Sequence, residues 1–195
     1  MAGLREQWRR TAMREIQRHA LDLFEQQGFQ KVTIEAIAAA AGVSPSSVYR
    51  YFGTKEGILI SDEFDEMTVA EMASTIDPKD PITSLLMMVR RYESTNPDED
   101  GDDPPLAWRS VPFYFSVPSV HAALLASADE TSRRIAPLLA KSEDFTEFQA
   151  RVLASTLTFG YLATLEQWFI DGRARPIAEY VEEGMRPLRG LWSKS

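Results

Sequence analysis

No cysteine occurs in the 195 residues. Disulfides, thiolate nucleophiles and cysteine-ligated metal centres are therefore excluded, and the chain fits a reducing compartment. Histidine is nearly as scarce: only His19 and His121 are present. They stand far apart without the short spacing of a histidine metal motif, so no metal and no cofactor are expected. The sequence contains no G-x-S-x-G elbow, no G-x-G-x-x-G loop and no G-K-[ST] phosphate loop. No catalytic residue is expected, and the chain reads as a non-enzyme. Long apolar runs are also missing. The nearest, Val152 to Leu165, is broken by Ser155, Thr156 and Thr158 and closed by Glu166. A membrane span needs about 20 apolar residues. The N-terminus, M-A-G-L-R-E-Q-W-R-R, has charge but no apolar core behind it, so it is not a signal peptide. With 44% hydrophobic and 26% charged residues, the chain is expected to be a soluble cytoplasmic protein without membrane association.

A net charge of −8 at first argues against nucleic acid as a partner. Its distribution argues the other way. Residues 1–57 carry 8 Lys+Arg against 6 Asp+Glu, a net +2, whereas residues 58–195 carry 13 against 23, a net −10. A basic module on an acidic body concentrates the attractive field at one end.

No strand alternation and no internal repeat are evident; every long apolar pattern has helical period. Leu4 to Gln27 reads as a helix with Ala12, Ile16, Ala20, Leu23 and Phe24 on one stripe, ended by Gly28 in a left-handed cap. Arg5, Arg9, Arg10, Arg14 and Arg18 lie off that stripe; the first three could form an arm that reaches DNA, and the default for the others is a solvated face. Thr33 is a good N-cap for a second helix, with Ile34, Ile37, Ala38 and Ala41 inward. Gly42 supplies the positive φ of a sharp turn and Val43 plugs the angle. Ser44 caps a third helix with Pro45 at its first position. Val48 and Phe52 point inward, which leaves Ser46, Ser47, Tyr49 and Arg50 outward. Thr54 caps a fourth helix expected from Lys55 to about Thr75, with Ile58, Phe64, Met67 and Met72 as its apolar contacts. Two helices joined by a tight turn, with a third following at once, form a device for reading DNA.

Beyond it, Asp80 and Pro81 open a helix to about Tyr92. Asn96 to Asp103, N-P-D-E-D-G-D-D, is a loop that imitates a calcium loop but has Ala107 where a glutamate is needed, so it is read as hydrated acidic chain. The segment from Pro104 to Ser116 is dense in aromatics and interrupted by Pro112. Ser119–Ser127 and Asp129–Lys141 read as two helices, Glu143–Asp171 as the longest, and Pro176–Trp192 as the last. The fold class is all-α with about nine helices: a three-helix helix-turn-helix module, residues 1–57, and a larger helical body, residues 58–195.

Thr33 to Leu59 resembles the signature of the TetR family of bacterial transcriptional regulators. The shared residues are Thr33, Ile37-Ala38, A-G-V-S at Ala41 to Ser44, Y-x-Y-F at Tyr49 to Phe52, and T-K-E at Thr54 to Glu56. Tyr51 stands where the family often has histidine, and Ile58 where leucine is usual. The resemblance implies a third helix in the major groove, with Ser44, Pro45, Ser46, Ser47 and Tyr49 facing DNA, Arg50 at base or phosphate, and Thr33, Tyr51 and Lys55 holding phosphates. It implies a homodimer made by the last two helices. Phe148, Ser155, Gly160, Ala163, Tyr180 and Leu188 are the candidate interface, and small residues such as Ala154 and Thr164 would permit close approach. It also implies a small-molecule pocket in the body, for which Met87, Met88, Trp108, Phe113, Tyr114, Phe115, His121, Phe159 and Trp168 are candidates. The body is loosely similar to a subgroup that senses acyl-CoA-like ligands, for whose anionic head Arg90, Arg91 and Arg109 are available. The expected function is a ligand-responsive regulator, a repressor binding a palindromic operator in double-stranded DNA and released by an apolar or acyl-type effector. The alternative is a helical small-molecule-binding protein or enzyme with a vestigial helix-turn-helix, which would capture or convert a ligand without affinity for DNA.

Overall fold

The computed structural model describes residues 2–61, 67–94, 106–142 and 144–192. Among them lie ten α-helices, one short 3₁₀ turn and no strand. The expected all-α class is therefore found. The acidic stretch Asn96 to Asp103 and Phe64 lie outside the described residues, as do the side chains of Arg5, Leu191 and Trp192.

Packing divides the chain into two compact units. The first takes in the described residues of Met1–Asp62 and of Leu106–Leu124. Helix α1, Ala2–Gln27, buries Met13, Ile16, Ala20, Leu21 and Phe24. Gly28 ends it at φ 84°, a conformation open to glycine without strain. Helices α2 (Ile34–Ala40), α3 (Pro45–Phe52) and α4 (Lys55–Ile60) follow, each opened by a side-chain cap. Helix α7, Leu106–Ser116, packs against α1 and α4 and completes the unit with the start of α8. A boundary at residue 57 leaves this mid-chain segment out.

The second unit takes in the described residues of Glu63–Pro105 and Leu125–Ser195. It holds α5 (Val69–Thr75), α6 (Pro81–Ser94), the greater part of α8 (Pro118–Leu139), α9 (Glu147–Ile170) and α10 (Ile177–Trp192). One core joins Met72 and Ile76 to Ile135, Leu138 and Leu139 of α8 and to Ala150 and Ala154 of α9. Helix α10 packs along α9 and α6. At Gly184 an added Cβ would stand 2.5 Å from Thr164 Cγ2, so glycine is what lets these two helices approach.

Three elements differ from expectation. The helix expected from Lys55 to Thr75 is two helices. Ser61 turns extended at ψ 124°, and Thr68 opens α5 with a reciprocal cap: its hydroxyl accepts from Glu71 N while Glu71 accepts from Thr68 N. The T-x-x-E signal for a new start is in the sequence, but apolar periodicity masks it. The Pro104–Ser116 segment becomes the helix α7, which runs through Pro112. A proline there loses one backbone bond and crowds the carbonyl four residues back, a cost of about 3 kcal/mol. Burial of Ser110, Val111 and Tyr114 offsets it. Finally, the two helices expected on either side of Ala128 are one. Ala128 and Ser132 are buried, and Asp129 stays helical because Arg133, one turn on, and Arg151 of α9 both donate to its carboxylate, at 2.9 and 2.8 Å. These bonds hold the Asp129 carboxyl below its ordinary range, Arg133 contributing most.

Candidate nucleic-acid interface

The geometry of the helix-turn-helix follows from four local choices. Thr33 Oγ1 accepts from Ala36 N at 3.2 Å and fixes the start of α2. Gly42, at φ 66°, reverses the chain, and Val43 N bonds back to Ala38 O at 2.9 Å. Ser44 Oγ accepts from Ser47 N at 3.2 Å, and Pro45 occupies the first turn of α3, where its missing N–H costs nothing. Val48 and Phe52 are buried, so α3 is anchored by one face only. Ser44, Pro45, Ser46, Tyr49 and Arg50 are exposed, with Ser47 and Tyr51 half-buried. The outward set expected from sequence is thus assembled on one short helix. Its N-terminal end is a cluster of hydroxyls: Ser44 Oγ lies 2.8 Å from Ser46 Oγ and 2.9 Å from Ser47 Oγ.

Arg50 and Tyr51 form a pair. Arg50 Nη2 donates to Tyr51 Oη at 3.2 Å, and the guanidinium carbon sits 4.9 Å from the centre of the ring. Lys55 points inward. Its ammonium donates to the carbonyls of Phe29 at 2.7 Å and Val32 at 3.0 Å and lies 4.3 Å from the centre of the Phe29 ring. It closes the α1–α2 turn from the start of α4.

The residues that hold this module in shape are mostly ones the sequence pattern did not single out. Gln17 Nε2 donates to the carbonyls of Ile58 and Ser61, tying α1 to the end of α4. At Gly57 an added Cβ would lie 2.0 Å from the Phe52 carbonyl oxygen, so the α3–α4 turn admits no side chain there. Arg109 of α7 donates from Nη2 to Asp22 and to Glu25, both at 2.7 Å, and from Nε to Glu25 at 3.0 Å. The guanidinium is largely enclosed and its pKa is raised, first by the bonds to Glu25 and then by those to Asp22, against an opposing effect of burial. Arg109 is therefore held by α1 and is not available to an anionic head group. No local pattern marks such long-range ties. Along α1, Arg9 donates to Met13 Sδ, Arg18 pairs with Glu15 at 2.7 Å, and Arg10 and Arg14 are exposed.

The expected pocket residues are divided between the two units. Trp108, Phe113, Tyr114, Phe115 and His121 belong to the first unit; Met87, Met88, Phe159 and Trp168 belong to the second. Several have structural partners. Phe113 packs on Phe24 with ring centres 5.9 Å apart. Tyr114 is buried and donates its hydroxyl proton to Leu59 O at 2.8 Å. His121 Nδ1 lies 3.1 Å from Tyr114 O. Trp168 donates Nε1–H to Arg175 O at 2.8 Å, closing the α9–α10 turn. Met87 is 66% exposed, and Arg90 pairs with Glu182 at 3.0 Å.

The expected interface residues are better grouped. Gly160, Ala163, Tyr180 and Leu188, together with Phe159, line an open groove of about 790 Å³ along α9 and α10. Phe148, Val152 and Ile170 continue an apolar outer face of α9 and are 77%, 48% and 66% exposed. Ser155 is half-buried on the same helix. The side of α9 that meets its own chain is Ala150, Ala154, Leu157, Thr164, Leu165 and Trp168.

A short helix capped by serine, set across a glycine turn and exposed along one face, is the reading element of a helix-turn-helix DNA-binding regulator. Residues 16–61 match the family described as bacterial regulatory proteins, tetR family. The chain is 24% identical over 175 residues to the HTH-type transcriptional regulator TcmR of Streptomyces glaucescens, covering 86% of this chain and 77% of that protein. It is 32% identical over 85 residues to the HTH-type transcriptional regulator BetI of Rhizobium meliloti (strain 1021), covering 40% and 42%. Among solved structures it resembles NalD, the secondary repressor of the MexAB-OprM multidrug efflux pump in Pseudomonas aeruginosa, with a TM-score of 0.56, 19% identity and coverage of 92% and 95%. Thermus thermophilus FadR, a TetR-family repressor in complex with lauroyl-CoA, gives a TM-score of 0.52 and 22% identity, covering 90% and 92%. Residues 16–61 are thus a regulatory domain of the tetR type, and the chain as a whole shares the fold of these solved structures.

Proposed function

We propose that this protein is a ligand-released repressor that binds a palindromic operator as a homodimer. The observation that carries this reading is the exposed face of α3, Pro45 to Arg50, held over a buried Val48 and Phe52. An α-helix fits the major groove. In this reading Ser46, Ser47, Tyr49 and Arg50 face bases, and Thr33 and Ser44 lie toward phosphates. DNA reading rests with residues 1–57, ligand binding and dimerisation with residues 58–195. A single module makes few contacts, so two copies read half-sites about 34–36 Å apart or a multiple of that. The outer face of α9 supports pairing of the copies: an apolar seam from Phe148 through Val152 and Phe159 to Ala163 runs about 22 Å at 1.5 Å per residue.

An acyl-type effector is the favoured ligand class, because the structural neighbour FadR holds lauroyl-CoA. Release then requires the ligand to prefer the DNA-incompetent shape; reversing a 99:1 population takes about 5.5 kcal/mol of preference. The test is footprinting of the full chain on DNA beside its own gene, with and without lauroyl-CoA. The expected result is a protected palindrome that the thioester uncovers. A chain that captures the thioester but protects no DNA would refute the proposal.

A further inference from the structure

We infer that Tyr51 acts on DNA through Arg50, as a positioning residue for the one forked side chain on the reading face. This rests on the DNA-reading function proposed above.

Neighbouring residues on a helix project about a quarter-turn apart and do not normally meet. Arg50 nevertheless bends along the surface of α3 onto Tyr51, with both a hydrogen bond to the hydroxyl and a guanidinium 4.9 Å from the ring centre. The two contacts use different parts of the tyrosine, so together they define a direction as well as a distance. Tyr51 itself is steadied: half of it is buried, and its ring meets Phe52 edge-on with centres 6.4 Å apart. Phe52 is fixed in the core. A rigid aromatic thus confines an exposed arginine that would otherwise sweep through many rotamers.

That confinement matters on this face. Ser44, Ser46 and Ser47 are short and already bonded to one another, and Pro45 carries no polar side-chain atom. Only Arg50 can fork onto the two acceptors of a guanine edge. One guanidinium donor goes to Tyr51, which leaves most of the fork for a base or phosphate. Ordering the side chain beforehand reduces what must be ordered on binding.

The test is a selection of duplexes from a randomised pool by the full chain, followed by affinities on the selected duplex and its single-base variants. Four proteins are compared: wild type, Arg50→Ala, Tyr51→Leu and the double variant. Arg50→Ala is expected to reduce discrimination about 5- to 100-fold at the base pair Arg50 reads. Tyr51→Leu is expected to reduce it at that same base pair, and the double variant to match Arg50→Ala within about two-fold, since the second change has nothing left to position. Tyr51→Phe keeps the ring and is expected to fall between wild type and Tyr51→Leu. If Tyr51→Leu weakens binding to every duplex equally, and does so again in the Arg50→Ala background, Tyr51 holds phosphate on its own account and the inference fails while DNA reading stands. If the wild type enriches no sequence, the DNA reading fails and this inference with it.

Discussion

Lys55 separates two physical roles that sequence position alone cannot. At the N-terminus of α4 it reads as a phosphate contact; in the structure its ammonium is bonded to the Phe29 and Val32 carbonyls over the Phe29 ring. Replacing it by methionine keeps an unbranched apolar stem and removes only the charged donor. Each hydrogen bond from a charged group contributes about 1.5–3 kcal/mol, and an exposed cation–π contact about 0.5–1. Lys55 is half-buried, and water can replace part of this, so the net loss is about 2 kcal/mol, localised in the 28–33 turn. At 1.4 kcal/mol per tenfold, amide exchange in that turn should accelerate by about 30-fold. DNA binding, measured by fluorescence anisotropy over a salt series, should keep its slope in log K against log salt. A residue that neutralises one phosphate instead contributes about 0.9 to that slope. A Lys55→Met protein whose slope falls by about 0.9, with unchanged exchange at residues 28–33, would refute the internal role. It would mean that the ammonium leaves its carbonyls when DNA arrives.

Gly57→Ala should disrupt the α3–α4 turn, because the new methyl would stand 2.0 Å from the Phe52 carbonyl oxygen, which Thr54 N holds at 2.7 Å; a loss of more than about 2 kcal/mol in urea unfolding is expected, of the size of severe overpacking, and an unchanged midpoint would contradict the packing described. Arg109→Met should destabilise the first unit by about 1–2 kcal/mol, since the charge-assisted bonds to Asp22 and Glu25 are lost while both carboxylates, 37% and 43% exposed, stay within reach of water. Adding Asp22→Asn and Glu25→Gln should recover part of the loss, and if that triple variant is no more stable than the single one, the ion cluster is not what Arg109 contributes. Phe159→Glu together with Val152→Glu changes exposed positions, so the helical content should be kept while sedimentation shows the proposed dimer of the unaltered chain replaced by monomer; a dimer that persists would place pairing on another face. In the same experiment operator affinity should fall steeply, since half-sites would be read one at a time.

Much of the reading module is legible in the sequence because its determinants are local. Thr33, Ser44 and Thr54 are caps, Gly28 and Gly42 are left-handed turns, and Val48 with Phe52 sets which side of α3 faces out. Each choice involves atoms within a few residues. The Lys55, Gln17 and Arg109 contacts span 23 to 87 positions, and nothing in the neighbouring sequence announces them. The same reason explains the body. Pro112 suggests an interruption that tertiary burial overrides, and Ala128-Asp129 suggests a break that Arg151, 22 residues on, prevents. On α9 the apolar period is correct but ambiguous in direction, because this helix is apolar on two sides. Sequence alone cannot say which side meets its own chain.

The placement of α7 bears on how such regulators exchange parts. Tyr114 closes on the Leu59 carbonyl, Phe113 on Phe24, and Arg109 on Asp22 and Glu25. A hybrid made by grafting residues 1–62 onto a foreign sensor would arrive without these partners. It would show Phe24 without Phe113 and Glu25 without its arginine, leaving Asp22 only Arg18 at 3.8 Å, and the recipient would have to furnish a matching helix from its own interior. Transplanting the DNA specificity of this protein is therefore a two-segment operation: the reading head travels with Leu106–Leu124, or it travels as the α3 surface alone.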